Sequence, residues 1–105
     1  MHDLRTLYTE ISTLIDEVER VPAPSRADVE RTLTDGYAHA HALEARRWRL
    51  ERRIGELALD ADADARRKTA ELADLAAGVE RATGELETLR GLLATLRDRA
   101  AAAAA

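Results

Sequence analysis

Apolar side chains recur every three or four residues along most of the chain. The first run is Leu4, Leu7, Ile11, Leu14, Val18 and Val21, widened by Tyr8 and Ile15. Such spacing marks one face of a helix, and a stripe this wide suits packing against two neighbouring helices. It predicts a first helix over about residues 2–20. The run stops in Val21-Pro22-Ala23-Pro24-Ser25, which holds both prolines of the chain. Proline removes a helix donor and restricts the residue before it, so the chain breaks here.

Ser25 then has the character of an N-cap, with Asp28 three residues on in the place of a capping-box acid. From there Val29, Leu33, Gly36, Ala40, Leu43, Arg47, Leu50, Ile54 and Leu57 alternate steps of four and three. Asp35-Gly36 would ordinarily signal a turn. The phase passes straight through it, which favours one continuous helix over about residues 26–58 with a glycine at a close contact. A further seam runs Leu72, Leu75, Val79, Ala82, Leu86, Leu89, Leu93 and Leu96. It predicts a third helix over about 64–99, followed by an alanine tail at 101–105.

The last two seams are out of phase by one residue. The slip lies in Leu59-Asp60-Ala61-Asp62-Ala63-Asp64, where aspartate favours caps and alanine favours helix. A turn near Ala61 gives an antiparallel hairpin. A single rod in a parallel dimer is the alternative. In the hairpin Leu50 faces Leu72, Leu43 faces Val79, Leu33 faces Leu89 and Val29 faces Leu93. The flanking pairs are Arg53 with Glu71, His39 with Glu85 and Glu30 with Arg90, none of them a like-charge clash. The short proline connection folds the first helix back beside the start of the second, covering it to about residue 46. The expected fold is therefore all-α, a single helical domain over 1–100. It is a long antiparallel helical hairpin, or coiled coil, with an N-terminal helix packed on its base. Residues from about 47 to 75 would form a bare two-helix arm, and two helices alone bury little.

Composition agrees with this class and narrows the chemistry. Of the 105 residues 34% are charged and only 3% aromatic, which suits helices and not sheets. There is no cysteine, so disulfides, zinc–thiolate sites and a thiol nucleophile are excluded. No basic segment followed by an apolar run opens the chain, and no apolar stretch approaches the roughly 18 residues of a membrane span. These features set the expectation of a cytoplasmic protein without a membrane role. No serine or threonine has a base-and-orienter set, and no glycine-rich phosphate loop occurs, so the chain is expected not to be an enzyme and to need no cofactor. His39 and His41 are two apart and point to different faces of a helix, so they cannot share a metal ion.

Two charged segments carry candidate chemistry. Arg46-Arg47-Trp48-Arg49-Leu50-Glu51-Arg52-Arg53 puts five arginines and the only tryptophan in eight residues. Arginine and tryptophan are typical anchors of protein interfaces. Arginine also reaches phosphates, and tryptophan stacks on bases. Trp48 lies beside the seam, so it should be partly exposed on a bare arm. Arg46, Trp48, Arg49, Arg52 and Arg53 are therefore the candidate partner-binding residues. The bland alternative is a solvated helix face paired to nearby glutamates, and Arg47, on the seam itself, should reach toward Glu51 or Glu44.

The second segment is the acidic tip, Asp60, Asp62 and Asp64 with Glu71. Counted from position 60, these carboxylates stand at places 1, 3, 5 and 12 of an EF-hand-like loop. Ala65 stands where that loop needs glycine, and Arg66, Arg67 and Lys68 crowd the ion's place, which favours a capped turn instead. A long hairpin with an acidic tip also resembles, in outline, the arm that transcript-cleavage factors of bacterial RNA polymerase insert into that enzyme. The sequence thus favours a non-catalytic coiled-coil interaction module, an adaptor or subunit of a larger assembly, with a protein partner, a second copy of itself, or both. The alternatives are a nucleic-acid- or RNA-polymerase-associated regulator using the arginine cluster or the tip, and a calcium-responsive protein.

Overall fold

A computed structural model describes residues 3–20 and 23–104. Val21, Pro22 and the expected helix start and tail end at positions 2 and 105 lie outside that range. The described chain is all-α, with three helices in the order α1 (Leu4–Glu17), α2 (Arg26–Ala58) and α3 (Ala65–Ala104). Helices α2 and α3 form an antiparallel hairpin, and α1 is the N-terminal helix of the expected arrangement. The turn between them occupies residues 59–64, where the heptad phase slips. The hairpin, and not the single rod, is the fold.

Each helix starts where a side chain satisfies its first backbone N–H groups. Asp3 caps α1, its carboxylate accepting from Thr6 N at 2.7 Å. That cap sets the start at Leu4, two residues later than expected, and the helix ends at Glu17 instead of 20. Ser25 Oγ accepts from Asp28 N at 3.1 Å and so caps α2 as expected. Asp28 does not complete a capping box. Its Oδ1 accepts instead from Arg31 Nη2 at 2.8 Å, one turn along the helix. Asp64 caps α3, its Oδ1 accepting from Arg66 N at 2.9 Å and Arg67 N at 3.1 Å. At its other end α3 continues past the expected stop at 99 through Ala104. Alanine is the strongest helix former, and nothing in the tract interrupts the ladder.

The chain divides into two compact units. One comprises residues 1–40 and 87–105, and the other residues 41–86. In the first, α1 packs on the first part of α2 and the last part of α3. Leu7, Ile11, Ile15 and Val18 of α1 are buried with Val29 and Ala40 of α2 and with Leu89, Leu93 and Leu96 of α3. This is the three-helix bundle expected of the base. Gly36 lies in mid-helix and is buried, as the uninterrupted phase required. A Cβ at this position would collide with the Leu93 side chain, so the glycine lets α2 and α3 approach closely.

The second unit has two helical segments and the turn. Leu43, Leu57, Ala82 and Leu86 are buried, while Leu50, Ile54, Leu72, Leu75 and Val79 are only half-buried. Two helices cannot enclose a seam, so its apolar positions keep part of their surface in water. A Cβ at Gly78 would stand 3.2 Å from Leu50 Cδ1, which places Leu50 against Gly78. Gly78 lies six positions beyond Leu72, the residue set level with Leu50 by a turn at Ala61. Six positions are nearly two turns. In the three-helix unit Leu93 meets position 36, seven residues beyond the Val29 that the same register set opposite it. The observed pairing is therefore displaced from that of a turn at Ala61, and the lean of helical side chains toward the N-terminus accounts for only part of the difference.

Candidate interaction surface

The arginine cluster lies on α2 within the 41–86 unit. Arg47 is on the seam, and its Nε stands 3.7 Å from Glu51 Oε1, drawn out to solvent in the manner expected. Trp48 follows it and is 60% exposed. This is the partial exposure expected of a residue off the seam. Counting from Arg47 and Leu50 in the heptad puts position 48 on the outer side of α2.

The arginines around Trp48 have different partners. Arg52 stacks its guanidinium over the Trp48 ring, 5.5 Å from the centroid, and its Nε meets Glu56 Oε1 at 3.2 Å. Arg53 Nη2 donates to Glu71 Oε1 at 3.2 Å across the hairpin, the flanking pair that the antiparallel register required. It also stands 3.9 Å from Glu56. Arg46 and Arg49 are exposed and make no ion pair among the described residues. By heptad position Trp48, Arg49 and Arg52 share the outward face, and Arg46 shares the flank of Arg53, which reaches Glu71 across the hairpin.

The acidic tip is a capped turn. Asp60 Oδ1 accepts from Asp62 N at 3.0 Å, and Asp64 is occupied with the first turn of α3. Glu71 is held by Arg53. The described residues contain no group of three or more His, Cys, Asp or Glu side chains placed to hold a metal ion. Lys68, expected only to crowd an ion's place, closes this turn: its ammonium donates to the carbonyl oxygens of Ala58 at 3.0 Å and Asp60 at 3.1 Å. It thus closes the C-terminal end of α2, where carbonyls lack helical partners and a cation is favoured. The one signal available was that position 68 is the only lysine among 16 basic residues.

No helix among the described residues is long and apolar enough to cross a membrane. No family model matches the chain, and no curated protein or solved structure is detectably similar to it.

Proposed function

We propose that the chain is a non-catalytic helical interaction module of the cytoplasm. It serves as an adaptor or subunit of a larger assembly and binds protein, including its own kind, through Trp48 with Arg46, Arg49, Arg52 and Arg53. The observation that supports this reading is the exposure of Trp48, 60%, in a two-helix unit whose seam is itself half-buried. A large aromatic ring held in water costs solvation free energy that docking recovers, and a guanidinium stacked on it presents a rigid, amphipathic surface. Arg46 and Arg49 add cations that no carboxylate of the described chain neutralises by pairing.

The experiment is an alanine substitution at Trp48, read by sedimentation equilibrium of the purified chain and by retention of partners from the native host. Anchors of this kind commonly contribute about 2 kcal/mol or more, so Trp48→Ala is expected to weaken association about thirtyfold, with helix content unchanged. Association unaffected by Trp48→Ala would overturn the reading. Partners lost from the wild-type chain only after nuclease treatment would favour nucleic acid as the ligand of the same arginines.

A further inference from the structure

Within the 41–86 unit α2 carries a second heptad stripe on the side away from Leu50, Ile54 and Leu57. Trp48, Arg52, Gly55 and Leu59 are spaced four, three and four apart, the same alternation as the seam. Leu59 is one residue past the helix, but its N–H still donates to Gly55 O at 3.3 Å and keeps the helical line. It is 86% exposed, and with Trp48 at 60% it completes the exposed large apolar side chains of this unit. Between them Gly55 has open space where a Cβ would be. The strip is apolar at both ends, carries a glycine between them, and faces solvent along its length.

Resting on the reading of Trp48 as part of an interaction surface, we propose that the occupant is the same strip of a second copy. It lies antiparallel about a two-fold axis beside Arg53 and Ile54. This symmetry sets Trp48 on the partner's Leu59 and Leu59 on the partner's Trp48, with Arg52 against Gly55 in both directions. On one flank Arg49 meets the partner's Glu56, twice. On the other Glu51 meets the partner's Ala58. Each chain thus offers the same patch to the other, as an isologous interface requires.

Charge selects this register. Sliding the second copy by one heptad sets Glu51 on the partner's Glu51 and Arg49 on the partner's Arg49. Sliding it by two sets Glu51 on the partner's Glu44. A parallel in-register pairing puts Arg52 on Arg52. Like charges across an interface reject these arrangements. Arg49 makes no ion pair among the described residues. Glu56, though close to Arg52 and Arg53, has acceptor capacity for another donor. The strip is about 18 Å long, so the contact is small and the dimer depends on concentration.

The test follows the full-length chain by sedimentation equilibrium and by Trp48 fluorescence, with circular dichroism confirming that each variant stays helical. Wild type is expected to dimerise reversibly, its emission moving to the blue as concentration rises. Arg49→Glu and Glu56→Arg should each weaken the dimer tenfold or more. An equimolar mixture of the two single variants should recover association to within threefold of wild type, as a heterodimer, because both contacts across the axis are then complementary. A pairing within one chain cannot be rescued by mixing. If mixing fails to restore association while Trp48→Ala still weakens it, the antiparallel pairing falls and the Trp48 surface stands. If Trp48→Ala changes nothing, both fall. A wild-type chain that stays monomeric at millimolar concentration, with unshifted emission, also overturns the second copy as occupant.

Discussion

Leu93 of α3 fills the space that a side chain on position 36 of α2 would need. Leu93 is 1% exposed, so it has little room to move aside. Two effects of substitution oppose each other here. Alanine improves helix propensity over glycine by about 1 kcal/mol, whereas overpacking a core costs about 1–3 kcal/mol. Gly36→Ala is expected to destabilise by about 1 kcal/mol in chemical denaturation. In a Leu93→Ala background the same substitution should stabilise instead. Gly84→Ala and Gly91→Ala, where a Cβ meets nothing within 4 Å, should each stabilise by up to about 1 kcal/mol. A stabilising Gly36→Ala in the wild-type background would disprove the close contact.

Lys68 anchors the turn through two carbonyls, and Lys68→Met keeps the stem while removing the donors. Hydrogen bonds from a charged donor contribute about 1.5–3 kcal/mol when shielded, and less where water competes. The side chain is half-buried, so a loss of about 1 kcal/mol is expected, with the thermal midpoint of the hairpin lowered. An unchanged midpoint would show that the ammonium is not held at the turn.

The carboxylates of the tip should separate by role. Asp64→Ala removes an N-cap and is expected to cost about 1 kcal/mol, whereas Asp62→Asn should change stability by less than about 0.5 kcal/mol. Calcium at millimolar concentration should leave the melting temperature of the wild-type chain unchanged, since the Asp60 and Asp64 carboxylates accept from the backbone and Lys68 sits on the Asp60 carbonyl. A calcium-dependent rise that disappears in Asp60→Asn would establish a metal site against this expectation.

Leu57 and Trp48 test the two faces of the same helix. Leu57 is 4% exposed, and Leu57→Ala should cost about 2–4 kcal/mol of stability. Trp48→Ala removes a larger side chain, yet it should change the stability of the isolated monomer by less than about 1 kcal/mol, because the ring is in water. Loss of folding in the tryptophan variant would make Trp48 a core residue.

Much of this fold was legible because heptad phase is a long-range signal in a local pattern. The slip between Leu57 and Leu72 located the turn, and the phase running through Asp35-Gly36 kept α2 whole against a strong turn dipeptide. The Arg53–Glu71 pair followed from the antiparallel register alone. Three features escaped for physical reasons. Asp3 as a cap was masked by the neighbouring apolar run, which has no sharp beginning. Asp28 had two competing partners, the helix start and Arg31, and sequence does not rank them. Lys68 reaches carbonyls ten and eight residues earlier, a contact that exists only after the turn has formed. Of the candidate surface, the residues were readable but not their grouping. The heptad separates Trp48, Arg49 and Arg52 from Arg46 and Arg53.

The half-buried seam of residues 41–86 also sets how the chain breathes. Opening a helix locally costs roughly what its buried contacts contribute, and here Leu50, Ile54, Leu72, Leu75 and Val79 contribute less than the enclosed Leu89, Leu93 and Leu96. Backbone amides in this stretch therefore exchange with solvent deuterium through partial openings, well before the whole molecule unfolds. The amides of the three-helix unit wait for the larger event. Any ligand that settles on Trp48 reports itself twice, once at its own contact and again as slowed exchange along both helices beneath it.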